Sequence, residues 1–174
     1  MNILITGNQG LALALQLELI DQGHAVTCVS RRTGHDIKDV KSWGPQYYHY
    51  DVCINCAYST WHQIDVLEQF YYAWRDHADK QIINIGSKIA DYVRIETEID
   101  YQYMDYRLHK QALQSAFNRL INTAQCDIKL INPGAIDTDM IQHLSCKKMT
   151  PEWTAKQIVD IMKQPAVKRV DLWQ

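Results

Sequence analysis

The sequence predicts an α/β fold in which helices cover both faces of a doubly wound parallel sheet. Short runs rich in Ile, Val and Leu alternate with longer amphipathic stretches along the chain, which is the pattern of successive βαβ units. The composition, with 47% hydrophobic and 22% charged residues, is that of an ordinary globule. The 174 residues contain no internal repeat or linker-like segment, so we expect one domain over residues 1–174.

The order of the predicted elements follows from these runs. Six strands are predicted, the last of them at an edge of the sheet: residues 3–6, 25–30, 51–56, 81–85, 127–131 and 167–172. Three helices are predicted from the amphipathic stretches: residues 11–21, 64–77 and 106–124. Thr150 and Pro151 predict the start of a fourth helix, because these residue types favour the N-cap and the first turn. Residues 30–51 follow the pattern poorly, and we expect a shortened region there with one short helix near residues 36–43.

Composition also limits the partners and the compartment. The 18 basic and 20 acidic residues give a net charge of −2, so no overall field favours nucleic acid or an anionic membrane, and we predict neither partner. No apolar run approaches the ~20 residues of a membrane span, and the apolar start before Gly7 is too short for a signal peptide. Five cysteines are an odd number without the density of a disulfide scaffold, which favours free thiols and a cytoplasmic protein. The seven histidines are scattered, so no metal site is predicted.

A glycine-containing turn lies between the first predicted strand and the first predicted helix, with the sequence TGNQG. Glycines allow a sharp turn there, and the N-terminus of the following helix offers N–H groups to a phosphate. We therefore expect a dinucleotide to contact the residues of this turn: Thr6, Gly7, Asn8, Gln9, Gly10 and Leu11. The third glycine of the usual fingerprint is missing, and Ala12 is the nearest small residue. The alternative interpretation is a tight turn without a ligand.

Ser30, Arg31 and Arg32 follow the second predicted strand. In folds of this kind, an acidic residue at this place holds a ribose 2′-hydroxyl, whereas a basic residue accommodates a 2′-phosphate. Arginine binds phosphate oxygens through paired N–H donors, so these residues favour NADP(H) over NAD(H). The alternative is that both arginines are solvated on a loop.

Five segments occur in an order that resembles the short-chain dehydrogenase/reductase superfamily: TGNQG, INCA, INIGS, YRLHK and INPGAIDTDM. The resemblance implies a compact, single-domain member with a Rossmann fold and a short lid after Met140. It also implies cofactor contacts near the adenosine and near the nicotinamide and its ribose, from Asn55, Cys56, Ala57, Lys110, Pro133, Gly134, Ile136 and Thr138. The first half of the chain also resembles a branch of sugar-nucleotide reductases, which implies that Asp36 and Ile37 flank the adenine.

Three residues carry the predicted chemistry, and the resemblance assigns them as catalytic: Ser87, Tyr106 and Lys110. Tyr106 and Lys110 are four residues apart, so they share one face of a helix. We expect the ammonium of Lys110 to lower the pKa of Tyr106, so that Tyr106 acts as a general acid toward a carbonyl or a base toward an alcohol. Ser87 follows a predicted strand and is placed to hold the carbonyl oxygen. The alternative is that Tyr106 and Lys110 are ordinary surface residues of a helix.

The resemblance also implies features that the sequence matches less directly. An asparagine of a proton relay is expected in the helix before the serine strand, where residues 63–67 offer only Asp65 as a substitute. His109 is expected to face outward or toward a neighbouring subunit. Tyr92, Tyr101 and Tyr103 are expected to line the mouth of a substrate site.

These observations predict an NADP(H)-dependent oxidoreductase that interconverts a small-molecule carbonyl and an alcohol by hydride transfer. One alternative is a non-catalytic NADP(H)-binding protein with a regulatory or redox-sensing role. Another is an epimerase or dehydratase that acts on a nucleotide sugar, which only the first half of the chain favours.

The resemblance further implies a homodimer or homotetramer formed through two long helices. The apolar residues available for that interface are Phe70, Tyr71, Trp74, Leu113 and Phe117. The alternative is that the same residues pack on the sheet of their own chain.

Overall fold

The computed structural model describes residues 1–91 and 103–173, which form a parallel sheet between two layers of helices. The sheet of the described residues has the strand order β2-β1-β3-β4-β5-β6. Its strands are β1 (Asn2–Thr6), β2 (Ala25–Val29), β3 (Val52–Asn55), β4 (Gln81–Ile85), β5 (Asp127–Pro133) and β6 (Arg169–Leu172). All adjacent pairs are parallel. The predicted α/β class and the predicted strands are therefore confirmed, with their bounds shifted by no more than two residues.

Helices connect the strands across both faces of the sheet. They are α1 (Leu11–Asp21), the single-turn α2 (Val40–Trp43), α3 (His62–Trp74), α4 (Met104–Leu120) and α5 (Pro151–Met162). The predicted cap of the last helix is confirmed, because the Thr150 hydroxyl accepts a hydrogen bond from the backbone N–H of Trp153 at 3.2 Å.

The sheet reverses its direction of growth next to β1. Ile3 pairs with Val26 of β2 on one side and with Val52 of β3 on the other. The connections after β1 and after β3 therefore leave the sheet in opposite directions, and a crevice opens between them at the carboxyl ends of the strands. This crevice is where an open α/β sheet binds its ligands.

Each face of the sheet has its own apolar core. Leu15 and Leu19 of α1 pack with Ile158 and Val159 of α5 on one face. The other core lies under α3 and α4 and contains Phe70, Trp74 and Phe117 among other residues. Burial of these side chains fixes the two helical layers, and so the positions of the loops that leave the strands.

The connection from β2 to β3 is built from short helical turns in place of a full helix and strand. It consists of 3-10 turns at Arg31–Thr33, Ile37–Asp39 and Gly44–Tyr47, with α2 among them. The indole N–H of Trp43 donates to the Asp36 carbonyl at 2.7 Å, and the Tyr50 hydroxyl is 2.7 Å from the Thr27 hydroxyl. The predicted shortened region is confirmed, and β2 is consequently the edge strand on this side of the sheet described.

The residues considered for a subunit interface lie inside the chain. Phe70, Tyr71, Trp74, Leu113 and Phe117 are all buried in the core under α3 and α4. Of the two interpretations of these residues, the structure supports packing on the sheet.

In the described part of the chain, no helix is long and apolar enough to cross a membrane.

We predict that Phe70→Ala lowers the free energy of unfolding by about 3–5 kcal/mol, because it removes a fully buried aromatic side chain and leaves a cavity. Urea denaturation at two protein concentrations measures this loss. Tyr72→Ala, at a position 60% exposed on the same helix, is the control and is expected to change the free energy by less than about 0.5 kcal/mol. A small loss that depends on protein concentration in Phe70→Ala would instead place this residue in an interface.

Candidate active site

A cleft of about 970 Å³ crosses the carboxyl end of the sheet. The residue that follows each strand lines the cleft. These residues are Gly7, Ser30, Cys56, Gly86, Gly134 and Trp173. Most of the residues predicted to bind a cofactor or to carry the chemistry line it too: Asn8, Gln9, Gly10, Leu11, Arg31, Arg32, Asp36, Ile37, Ala57, Ser87, Tyr106, Lys110, Pro133, Ile136 and Thr138. The structure therefore brings these positions together in one continuous surface.

Thr6 and Asn55 do not line the cleft, although both were expected to contact a cofactor. The buried Thr6 hydroxyl accepts from the backbone N–H groups of Cys56 and Ala57, at 2.9 and 3.0 Å. Asn55 is also buried, and its side-chain N–H₂ donates to the Gln63 carbonyl and to the side chain of Asn84. Thr6 therefore fixes the loop after β3, and Asn55 joins β3 to α3 and β4.

The glycine turn after β1 is shaped by close packing. Gly7 has a φ of +103°, a conformation that favours glycine, and a Cβ atom there would lie 3.1 Å from the Cβ of Ala12. The N–H of Gly7 donates to the Val29 carbonyl at 2.7 Å. Ala12 thus fills the place where the third glycine of the fingerprint was expected, and its small side chain lets α1 approach the strand closely.

The end of the cleft next to β2, where the adenosine was expected, carries one unpaired hydroxyl group. The Ser30 hydroxyl oxygen is buried and has no hydrogen-bond partner among the described residues. With its amide oxygen turned toward Arg32, Gln9 accepts from both terminal guanidinium nitrogens, at 3.1 and 3.2 Å. This contact holds Arg32 over the glycine turn. Sequence analysis missed His35, which also lines this end and whose Nε2 lies 3.0 Å from the Tyr47 hydroxyl.

Ser87 stands two residues beyond β4, on a turn that requires the glycine before it. A Cβ atom on Gly86 would lie 2.0 Å from the side-chain oxygen of Asn132 on β5, so only glycine permits this approach. The next residue, Lys88, donates to Asp91 and Asp171 at 2.7 and 2.6 Å. These ion pairs tie the serine turn to β6, and they raise the pKa of Lys88 and lower that of Asp91.

Tyr106 lies on the first turn of α4 and lines the same cleft as Ser87. Burial raises the pKa of Tyr106 well above its ordinary value, and the nearby Ser87 side chain offsets only part of this rise. The expectation that Lys110 lowers this pKa is therefore wrong for the protein without ligand. The phenol is protonated at neutral pH, which is the form of a proton donor.

Lys110 lies one helical turn after Tyr106, and its side chain is almost completely buried, with 3% of the residue exposed. Its ammonium donates to the Gln63 side-chain oxygen and to the Ile85 carbonyl, both at 2.8 Å, and lies 5.4 Å from the centre of the Tyr106 ring. Burial lowers the pKa of Lys110 to about 8, since desolvation disfavours the charged form. The interpretation of Tyr106 and Lys110 as ordinary surface residues is excluded.

Gln63 is the polar partner that sequence analysis did not identify. Its side-chain N–H₂ donates to the carbonyls of Asn55 and Ile85, both at 2.9 Å, so its oxygen has to face Lys110. Asp65, the expected substitute, instead pairs with His62 at 2.8 Å on a partly exposed surface. The available signal in the sequence was that Gln63 falls on the apolar face of an amphipathic helix. A polar residue at such a position needs a partner in the interior.

His109 lies beside the rim of the cleft. Its Nδ1 lies 2.7 Å from the hydroxyl of Tyr58, a residue that lines the cleft. His109 itself is half-buried and does not line the cleft. Tyr103 lines the cleft as expected and contacts His143 at 3.0 Å, whereas Tyr92 and Tyr101 lie outside the described residues.

The segment after β5 forms the expected short lid. Backbone hydrogen bonds join Met149 to Ala135 at 2.8 Å and Asp137 to Met149 at 2.9 Å, which closes the base of a loop. Met140, Ile141 and Leu144 of this loop line the cleft.

Several solved structures with this architecture are dehydrogenases. A short-chain dehydrogenase from Burkholderia cenocepacia, solved with NADP, matches with a TM-score of 0.79 at 16% identity, over 99% of this chain and 88% of that one. The 3-alpha-hydroxysteroid dehydrogenase from Pseudomonas sp. B-0831, solved with NADH, matches with a TM-score of 0.69 at 15% identity, over 98% and 95%. Serine dehydrogenase from Escherichia coli matches with a TM-score of 0.71 at 14% identity, over 99% and 97%.

These likenesses show that the chain has the Rossmann-type fold of the short-chain dehydrogenases/reductases, as its motifs predicted. Searches against protein-family models and against curated protein sequences found no match.

We predict that Gln63→Leu lowers the pKa of Lys110 by about one unit, because the ammonium loses a hydrogen bond that favours its charged form. NMR titration of ¹³Cε-labelled lysine in the protein without ligand measures the shift, and the Lys110 signal is assigned by its absence from Lys110→Met. Gln81→Leu is the control, since Gln81 bonds Asp127 and the Met162 carbonyl at the opposite end of the sheet. An unchanged Lys110 titration in folded Gln63→Leu would show that Gln63 does not hold the ammonium.

Proposed function

We propose that the protein is a member of the short-chain dehydrogenase/reductase superfamily that uses NADP(H) to interconvert a carbonyl and an alcohol. One observation carries this proposal. The phenol ring of Tyr106 lies beside the Lys110 ammonium, in the cleft that Ser87 and the glycine turn also line. A half-buried proton donor, a nearby hydroxyl and a buried cation are the groups that stabilise a carbonyl oxygen as it gains charge.

The adenosine and phosphate end of the cleft fits a dinucleotide. Gly7 and Gly10 have positive φ angles of 103° and 53°, and the turn that they form precedes the N-terminus of α1, where N–H groups favour a phosphate. The orphaned Ser30 hydroxyl and the guanidinium groups of Arg31 and Arg32 supply donors for a further phosphate on the ribose. Asp36 and Ile37 line the surface expected to face the adenine.

The nicotinamide ring would lie against the residues after β5, and when bound it supplies or accepts the hydride. The chain itself handles the proton and the charge. The Ser87 hydroxyl orients the carbonyl oxygen, and the O–H of Tyr106 donates its proton to that oxygen. The burial that raises the pKa of Tyr106 keeps this proton in place until the oxygen gains charge. The phenolate left behind lies near the Lys110 ammonium, which stabilises it by Coulomb attraction in a region of low dielectric.

Compartment and assembly are also part of the proposal. All five cysteines are free thiols, which supports a reducing compartment such as the cytoplasm. Trp61, which precedes α3, and Leu108 of α4 remain 51% and 42% exposed. These side chains support a homodimer or homotetramer through the outer faces of the two helices, in place of the buried residues considered first.

We predict that Tyr106→Phe lowers kcat for NADPH-dependent reduction of an accepted aldehyde or ketone by about 100-fold or more, because the general acid is lost. Calorimetry should give the same NADPH affinity within about twofold, since the phenol hydroxyl is not a phosphate ligand. The matched control is Tyr72→Phe, at an exposed position outside the cleft.

Two outcomes would contradict this role. Full activity in Tyr106→Phe would exclude the tyrosine as the acid. Tight NADPH binding by the parent protein, with no turnover across aldehydes, ketones and imines, would favour the non-catalytic, regulatory or redox-sensing alternative.

The preference for NADP(H) has its own test. We predict that Arg31→Ala combined with Arg32→Ala raises the Kd of NADPH by about 10–100-fold, because charge-assisted hydrogen bonds to the 2′-phosphate are lost. The Kd of NADH is expected to stay within about threefold. Lys38→Ala removes a nearby exposed positive charge that does not line the cleft and controls for a general electrostatic effect. Equal losses for NADH and NADPH would show that the arginines do not read the 2′-phosphate.

A further inference from the structure

Tyr58 is a second tyrosine beside the proposed acid. It follows Ala57 on the loop after β3, whose backbone is fixed by the Thr6 hydroxyl. The Tyr58 ring stands at 73° to the Tyr106 ring, with 4.8 Å between their centres. This edge-to-face packing is a favoured geometry for two aromatic rings.

The two rings lie next to the Lys110 ammonium. The ammonium nitrogen is 5.7 Å from the centre of the Tyr58 ring and 5.4 Å from that of Tyr106. On its interior side the same nitrogen is bonded to Gln63 and to the Ile85 carbonyl. Lys110 nevertheless lines the cleft. We attribute the low exposure of its ammonium on the cleft side to the neighbouring rings of Tyr58 and Tyr106.

The outer end of Tyr58 is anchored. Its hydroxyl lies 2.7 Å from Nδ1 of His109, and the His109 ring packs edge-on against Trp61, with 4.2 Å between ring centres. His109 precedes Lys110 on α4, so the residue that holds Tyr58 belongs to the same helix as the residues it covers. Because the ring is packed at one end and hydrogen-bonded at the other, its position is fixed.

We propose that Tyr58, anchored by His109, is a positioning residue that holds the Tyr106 ring and screens the Lys110 ammonium from water on the cleft side. The importance of this role for catalysis rests on the proposed function. The screening itself is a property of the protein without any ligand.

The surroundings of Lys110 make its titration a direct measure of this screening. The groups that face it are Cys56 and Tyr58 from the loop after β3, Tyr106 from its own helix, neutral Gln63 from α3 and the carbonyl of Ile85 from β4. Burial raises the pKa of Cys56 to about 12, so the thiol is uncharged at neutral pH. Among the described residues, no carboxylate contacts the ammonium. A change in the Lys110 pKa on removal of Tyr58 therefore reports mainly a change in the hydration of the ammonium.

Tyr58→Ala tests the proposal by the NMR titration of ¹³Cε-labelled lysine. The Lys110 pKa, about 8 in the parent protein, is expected to rise by about one unit or more, because water then reaches the charged form. The distances to both rings are near the ~6 Å limit for cation–π attraction, so the loss of that attraction is the smaller effect. Tyr58→Phe keeps the ring and is expected to shift the pKa by no more than a few tenths.

His109→Ala is the second variant, and it keeps the ring but removes the anchor. It is expected to raise the Lys110 pKa by less than Tyr58→Ala does. If Tyr58→Ala fails to fold, the Lys110 pKa in His109→Ala tests the proposed role of Tyr58. Tyr72→Ala serves as the control for removal of a tyrosine elsewhere. An unchanged or lowered Lys110 pKa in folded Tyr58→Ala, or an unchanged pKa in His109→Ala when the first variant does not fold, would overturn the proposal.

Activity supplies a separate readout. If the ammonium is needed for turnover, kcat/KM falls as the pH rises through the Lys110 pKa, so a raised pKa in Tyr58→Ala moves this fall to higher pH. A merely structural defect would lower kcat/KM at every pH without moving the profile. Shifted titrations in a protein without activity would refute the proposed function alone, whereas unshifted titrations in an active enzyme would refute the role of Tyr58 alone.

Discussion

The burial of one ammonium group organises the polar interior of this protein. A lysine side chain taken out of water needs acceptors in place of hydration, and Lys110 finds them in Gln63 and the Ile85 carbonyl. The amide of Gln63 is held in turn by Asn55 and Ile85 carbonyls, and Asn55 is bonded to Asn84, whose side chain donates to the Lys129 carbonyl. One charge is thus supported by a chain of neutral amides that crosses β3, β4 and β5. Removing Gln63 leaves an unsatisfied ammonium, and the more distant amides support Gln63 in turn.

The features that depend on local sequence patterns were predictable from the sequence, whereas those that depend on contacts between distant residues were not. The strands, α1 and the cap at Thr150 follow from residue spacing and from capping chemistry, which act within a few residues. Tyr106 and Lys110 were recognisable because an interval of four residues on a helix already places them together. Gln63 and Tyr58 were not, since their partners Lys110 and His109 are 47 and 51 residues away in sequence. Thr6 and Asn55 were assigned to a cofactor because they stand in a matching motif, yet in the structure the Thr6 hydroxyl bonds the loop after β3 and the Asn55 amide nitrogen bonds Gln63 and Asn84.

The two ends of the cleft are built by different means. At the chemical end, rigid strands and the long helix α4 carry Ser87, Tyr106 and Lys110. At the adenosine end, the connection between β2 and β3 is a run of short turns held by an aromatic group, in which His35, Trp43 and Tyr47 pack edge-on with ring centres 5.7–5.9 Å apart. Aromatic burial there replaces the regular strand and helix that the sheet lacks on this side. The shortening of the chain therefore falls on the end of the cleft that we propose binds the nucleotide, where loops suffice, and it leaves intact the strands and the helix that carry Ser87, Tyr106 and Lys110.

The tie between the serine turn and β6 has a consequence for biosynthesis. Lys88 and Asp171 are separated by 83 residues, and α1 packs against α5 near the other end of the chain. Contacts of such long range form late, because a large loop must close before they stabilise anything. A polypeptide that emerges from a ribosome can pair β1 to β4 while its serine turn still lacks the carboxylate of β6. The Ser87 side of the cleft consequently lacks this support until β6 has been synthesised, and a ligand that binds only the folded cleft stabilises the completed structure.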